Sequence, residues 1–413
     1  MPPSHRPTTG QQQRVRHYAR NADLYAMFNL LTGPPLLDRV ERLLPAHRQR
    51  LYPPTEPLLL FLAQALLADG RCQQVVNDTA VKRVIGGLKP ASTDTGAYCK
   101  VRSRLPEARV STLTRESGGI LAEGAASGWQ GRGRAVRLGD GATVTLADTP
   151  ENQAAYPQPT GQKAGRGLAL CRGVGLLCLG SGALLDAASG PCKGKGGDEQ
   201  ELLRSILDSL DSGDILLGDA YYATDFLLCD LIQGGVEGLF EPHGGRKRRT
   251  DFSLGERLGV GDQLIVLTQP KKRPEWRSPY EYDHAPDTLK VREFQAGGTI
   301  MVTPFLGSKK YPKSVLKALY RQRWNGEPDL RNIKTTLGME PRRCKTPPMA
   351  IQELWVDLLA YNLIRLLMAQ AALVADQIPP VSSASSTRCR SGWLGSNAAG
   401  VVTMRYPSTP YWS

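Results

Sequence analysis

The chain reads as an α/β protein with an open sheet, preceded by a helical region and interrupted by a β-rich segment. Three observations predict this. Up to about residue 126 the apolar spacing is helical. From near Arg134 it switches to short strand-like runs that go on to alternate with helices. From His243 to residue 311, short strands, turns and basic clusters follow, with no clear long helix. At 413 residues the chain exceeds one ordinary domain, so roughly two or three packed units are expected.

Each element follows from local chemistry. Residues 1–20 are polar and basic and are expected to be disordered. Residues 21–130 form the helical region, where "LYPPTEPLLLFLAQALLADG" sets Pro before an apolar helix and Gly after it. "GAYCKVRSRLP" then carries Lys100, Arg102 and Arg104 on a short segment ended by Pro106. Two uses fit this region: a small helical DNA-binding unit, or a helical packing domain with a wet basic face. Residues 131–242 open with "RAVRLGDGATVTLAD", which alternates and carries Gly-Asp-Gly-Ala, the pattern of a hairpin. "GLALCRGVGLLCLGSGALLDAASG" predicts a pair of short strands, and "GDEQELLRSILDSLDSG" an acid-led amphipathic helix. "DILLGD" is a buried strand, "ATDFLLCDLIQGG" a helix and "VEGLFE" a strand. Residues 243–311 are the β-rich insertion. Helical pattern returns in 312–378, at Pro312–Met339 and Ala350–Asp376, and residues 379–413 are Ser, Pro and Gly rich, an expected disordered tail.

The net charge of +13 and pI near 9.4 point to an anionic partner, nucleic acid or an anionic membrane surface. Eight cysteines without a Cys-x-x-Cys pair, and histidines away from zinc spacing, argue against a structural zinc site. The first residues hold no apolar signal core. The most apolar stretch, "LWVDLLAYNLIRLLMAQAALVA", is interrupted by Asp357, Asn362 and Arg365, as a buried helix is and a membrane span is not. The expectation is a cytoplasmic protein with reduced thiols and no membrane partner.

Two carboxylates occupy similar places. Asp140 ends "VRLGD" and Asp219 ends "DILLGD", at strand ends where an open α/β sheet binds ligands. Gly-Asp and Asp-Gly are also common turn pairs, so each position alone has an ordinary explanation. A third carboxylate lies in "YRQRWNGEPDLRNIK". With Tyr320 at zero and about 100° per residue, Arg323 falls near 300°, Glu327 near 340° and Lys334 near 320°. One helical stripe of phenol, guanidinium, carboxylate and ammonium suits a polyanion held beside a metal. A solvated face with an Arg323–Glu327 ion pair is the alternative.

The spacing Tyr320-x2-Arg323-x3-Glu327-x6-Lys334 resembles the signature of the insertion sequence 4 family of DDE transposases. "RLGDGATVTLADTPENQAAYPQP" and "GDILLGDAYYATDFLL" resemble that family's two Asp blocks, and the likeness spans roughly residues 20–380. It implies a ribonuclease-H-like catalytic core (131–242 and 312–378) interrupted by a β-rich insertion domain. It further implies Asp140, Asp219 and Glu327 as ligands of two Mg²⁺ ions, with Mn²⁺ as the alternative ion. Tyr320, Arg323 and Lys334 would contact terminal phosphates. The implied activity is nicking at inverted-repeat ends and joining to a target, on double-stranded DNA, by a homodimer that is nucleoid-associated when bound.

In the insertion, Arg246, Lys247, Arg248 and Arg249 in "GGRKRR", and Lys271 and Lys272 in "PKKRPEW", either track DNA phosphates or are exposed basic loops. Trp276 either stacks on an unstacked base or is simply packed. His243 and His284 receive no role. Two residues depart from the family pattern, which has an aliphatic residue before the Glu and no Pro after it. Pro328 removes a helix N–H and costs ~3 kcal/mol or more inside a helix, and Gly326 adds up to ~1 kcal/mol. Asn325 offers an escape as the N-cap of a new helix, with Pro328 in its first turn. Alternative readings are therefore an end-binding derivative with impaired catalysis and a ribonuclease-H-like nuclease.

Overall fold

The computed structural model describes residues 55–67, 70–89, 92–125, 131, 133–159, 161, 165, 167–194, 196–244, 250–323 and 343–374. The expected disordered ends at 1–20 and 379–413 lie outside these residues, as do Glu327, Lys334, Arg246, Lys247, Arg248 and Arg249. The chain divides into two compact units.

The first unit is helical. It holds α1 (Thr55–Leu66), α2 (Cys72–Ile85), α3 (Thr95–Arg102), most of α4 (Glu107–Glu123), the short α5 (Pro150–Ala155) and α10 (Pro347–Val374) through Leu367. Asp94 caps α3 by accepting the Gly96 N–H at 3.0 Å, satisfying one of the donors a helix start leaves open. Leu60, Val75, Val76 and Tyr98 form a core between α1, α2 and α3. Arg102 points into it: its guanidinium donates to Gln64 at 2.9 Å and lies 4.7 Å from the Phe61 ring centroid. Only Lys100 and Arg104 of the three basic residues are therefore exposed. α10 is a core helix, with Val356, Leu359, Ala360 and Asn362 buried and the Asn362 amide donating to the Thr114 carbonyl at 2.9 Å. Among the described residues no helix is long and apolar enough to cross a membrane. The cysteines among them are all free.

The second unit carries two sheets. The first has strand order β3-β2-β1-β4-β5, from β1 (Val136–Thr145), β2 (Leu170–Cys178), β3 (Leu184–Pro191), β4 (Ile215–Leu217) and β5 (Glu237–Leu239). β2 and β3, the expected pair of short strands, are antiparallel, whereas β4 runs parallel to both β1 and β5. Parallel neighbours need crossovers, and these carry α6 (Glu199–Arg204) and α7 (Asp225–Gln233). Leu202, Leu203, Leu227, Leu228 and Leu231 bury these helices in one core with Val174, Leu176 and Leu216.

Two local expectations change. "RAVRLGDGATVTLAD" is not a hairpin, because β1 continues through Gly139, Asp140 and Gly141 to Thr145. The continuous strand replaces the turn. The acid-led helix stops at Arg204, with Ser205 as its C-cap, and a single 3₁₀ turn follows at Leu207–Ser209.

The second sheet has order β6-β7-β8-β9, all antiparallel: β6 (Glu256–Gly259), β7 (Asp262–Thr268), β8 (Thr288–Ala296) and β9 (Thr299–Thr303). Only the short α8 (Pro279–Asp283) interrupts them among the described residues, its start fixed by a Ser278–Glu281 capping box. Inside this sheet Arg292, fully buried, grips Asp262 with two 2.7 Å hydrogen bonds. Phe240, just past β5, exchanges backbone hydrogen bonds with Val302 of β9 at 3.1 and 2.8 Å. α9 (Lys313–Arg321) follows this sheet.

Candidate active site

The site is built on the parallel pair β1–β4. Val136, Arg137 and Leu138 register with Ile215, Leu216 and Leu217. Asp140 and Asp219 each stand two residues past the last β1–β4 pair, at the same level, but Asp140 remains inside β1 while Asp219 lies beyond the end of β4. The opposite end of the pair is locked. Arg137 donates to Asp214 at 2.8 Å with both side chains under a tenth exposed, and Arg134 bonds Glu237 and the Gly213 carbonyl.

Asp140 is held within the strand and accepts its neighbour Gly141's N–H at 2.9 Å. Burial pushes its carboxyl up to about 6; that hydrogen bond and the Arg323 guanidinium oppose the rise, while Glu199 and Asp219 add to it. Asp219 caps the 3₁₀ turn Ala220–Tyr222 by accepting the Tyr221 N–H at 2.8 Å.

Two members of the basic stripe reach the same place. Tyr320, 5% exposed, donates its hydroxyl to the Gly218 carbonyl at 3.2 Å. Burial raises its phenol above the usual range. Arg323, just past α9, is 8% exposed, and its guanidinium carbon lies 5.8 Å from the Tyr320 ring centroid. The structure thus brings Asp140, Asp219, Tyr320 and Arg323 together, four residues from three separate stretches of sequence.

Others stand apart. Lys271 and Lys272 are exposed in the loop after β7. Trp276, 42% exposed, has the Arg204 guanidinium carbon 3.6 Å from its ring centroid and meets the Phe226 ring at right angles. His284 bonds the Tyr280 carbonyl at 2.8 Å, and His243 lies against Tyr221 with ring centroids 5.6 Å apart.

One residue of the site was missed in the sequence. Glu199, first in α6, accepts the hydroxyl of the fully buried Tyr222 at 2.7 Å. Its carboxyl rests on the α-carbon of Gly141: a methyl added there would lie 2.3 Å from the Glu199 carboxyl carbon. The only sequence signal was an acid directly after a capping Asp, which reads as an ordinary helix start.

The donor chemistry suits a hard divalent cation. Asp140 and Asp219 offer carboxylate oxygens of the kind Mg²⁺ prefers, and a cation between them would relieve the repulsion that helps raise the Asp140 carboxyl. Among the described residues no group of three possible ligands is placed to hold a metal unaided. Glu327 lies outside them.

Comparison with known proteins extends the geometry. The chain is 30% identical over 240 residues to transposase InsG for insertion sequence element IS4 of Escherichia coli (strain K12), across 56% of this chain and 52% of that protein. It therefore spans about half the length of this curated relative. A piggyBac transposase, solved by cryo-EM as a synaptic complex with hairpin DNA, aligns over 92% of this chain and 84% of its own at 9% identity, with a TM-score of 0.44. The transposase DDE domain model matches residues 131–363, a span that takes in both aspartates, the Tyr320–Arg323 segment and the sheet between them. The chain belongs to the DDE transposase family.

Proposed function

We propose that this chain cuts and joins DNA at the inverted-repeat ends of an insertion sequence. The observation that carries this reading is the convergence of Asp140, Asp219 and Arg323 beyond the paired ends of β1 and β4. Asp140, Asp219 and Glu327 would hold two Mg²⁺ or Mn²⁺ ions. When bound, these supply charge stabilisation and an acidified water or 3′-hydroxyl for in-line displacement at phosphorus. The chain's own residues do the rest. Arg323 places a fixed positive charge where a phosphate would meet the carboxylates. Tyr320 serves the stripe by tethering the Asp219 loop through Gly218.

On this reading the five-stranded sheet is a ribonuclease-H-like core and residues 243–311 are its insertion domain. The helical region 21–130 binds DNA, with a homodimer on the two ends. Lys334, Arg246, Lys247, Arg248, Arg249, Lys271 and Lys272 contact phosphates, and any base stacking on Trp276 uses the ring area that Arg204 leaves open.

The test is incubation of the full chain with labelled duplex carrying the element's own terminal repeat, read from the flanking DNA, plus Mg²⁺. Nicking at the 3′-end followed by joining is expected, with Asp140→Ala and Asp219→Ala each abolishing both. Unchanged nicking by Asp140→Ala would overturn the carboxylate assignment. Cutting without end specificity or joining would make the chain a nuclease instead. A second reading, end binding without cutting, is favoured by Gly326 and Pro328 beside Glu327.

A further inference from the structure

Asp219 has a positional problem. β4 is only three residues long, and its registered pairing with both neighbours ends at Leu217. No sheet ladder holds the loop from Asp219 to Thr224, yet the proposed chemistry needs its carboxylate fixed.

We propose that Asp198, Glu199 and Gln200 form a clamp that positions the Asp219 loop, with Glu199 as its central positioning residue. The proposal rests on the DNA-cutting reading only for its catalytic consequence. Three successive side chains at the start of α6 each take hold of that loop. Asp198 accepts the Tyr221 hydroxyl, and Glu199 accepts the Tyr222 hydroxyl at 2.7 Å. Gln200 does both: its amide donates to the Tyr221 carbonyl at 2.7 Å, and its oxygen accepts the Thr224 hydroxyl at 3.1 Å. The clamp is itself anchored. Asp198 caps α6 through the Gln200 N–H at 2.9 Å, and Leu202 and Leu203 bury the helix in the core.

Glu199 does more than hold one loop. Its carboxyl lies against Gly141, the residue after Asp140, while Tyr222 packs against Gly218, the residue before Asp219. A methyl on Gly218 would come within 2.7 Å of the Tyr222 ring. One Glu–Tyr hydrogen bond therefore spans from the Asp140 segment to the Asp219 segment, and both glycines are small because the two partners approach so closely. A buried phenol donating to a carboxylate is a charge-assisted bond, which sets geometry firmly.

The experiment pairs hydrogen exchange on the full chain in metal-free buffer with cleavage and DNA-binding measurements. In Tyr222→Phe and Glu199→Ala, backbone amides of residues 219–224 should exchange on the order of tenfold to a hundredfold faster, the size of one lost bond to a charged acceptor. Glu199→Gln should keep that protection, because its amide oxygen still accepts the Tyr222 hydroxyl. On the DNA-cutting reading, Tyr222→Phe and Glu199→Ala lower the cleavage rate roughly tenfold with DNA affinity unchanged, and Glu199→Gln restores it. Exchange unmoved in both Tyr222→Phe and Glu199→Ala overturns the clamp. So does Glu199→Gln that keeps protection yet cuts as poorly as Glu199→Ala, since the negative charge would then act directly. If the wild type cuts no DNA but the exchange pattern appears, the clamp is supported and the cutting reading alone falls.

Discussion

Asp140 shows what burial does to a single residue. An unfolded aspartate ionises near 3.8, whereas this one waits until about 6 because the charged form is poorly hydrated. Between those values the folded state holds a proton that the unfolded state has lost, so stability falls as pH rises from about 4 to 6. Asp140→Asn should therefore stabilise the metal-free protein by ~1–2 kcal/mol at pH 8, after discounting for partial exposure. The gain should vanish below about pH 4, as urea titration at the two pH values would show. Gly141→Ala should displace the Glu199 carboxyl and slow cleavage roughly tenfold, without weakening DNA binding. The Gly-Asp pairs after apolar runs drew attention to Asp140 and Asp219, and the strand-end reading holds for Asp219 but not for Asp140, which β1 runs through. Glu199 was not legible, because its role depends on Tyr222 and Gly141, residues whose proximity only the fold creates.

Elements differ in how much of them a pattern can reveal. The β2–β3 pair, α7 and β5 stand where periodicity and glycine punctuation place them. β1 misled because Gly139 and Gly141 suggest a turn. Inside the sheet they are simply residues without side chains, where Leu203 and Glu199 approach. Beside the β1–β4 ladder stands an ion pair that no periodicity announces, Arg137 with Asp214. Arg137→Ala would strand Asp214, 5% exposed, and should cost ~3–5 kcal/mol in chemical denaturation. The Glu327 segment is argued from sequence alone. Replacing Gly326 with Val and Pro328 with Leu removes ~3 kcal/mol or more of helix penalty, nearly all of it from Pro328 because Val is itself a poor helix former. The double variant should nick a terminal repeat on the order of 100-fold faster than the natural sequence if a carboxylate displaced by about 1 Å limits it; equal rates would clear those residues.

The whole molecule carries +13, and its proposed partner is a polyanion. DNA affinity should fall steeply with salt, and Lys271→Ala with Lys272→Ala should reduce the log–log slope by about 2 if both meet phosphates. An unchanged slope would make them ordinary solvated loops. Composition announced this electrostatic character, and motif spacing announced the family, but neither foretold how the two sheets meet. β5 is the last strand of its sheet and β9 the last of the other, and Phe240 and Val302 join their flanks. Open strand edges recruit other chains and seed aggregation. At the Phe240–Val302 bridge each sheet covers part of the other's edge, so a version lacking residues 243–311 should aggregate more readily than the full chain. Residues 243–311 would then act as a solubility device, and tolerance to their removal depends on capping the bare flank of β5.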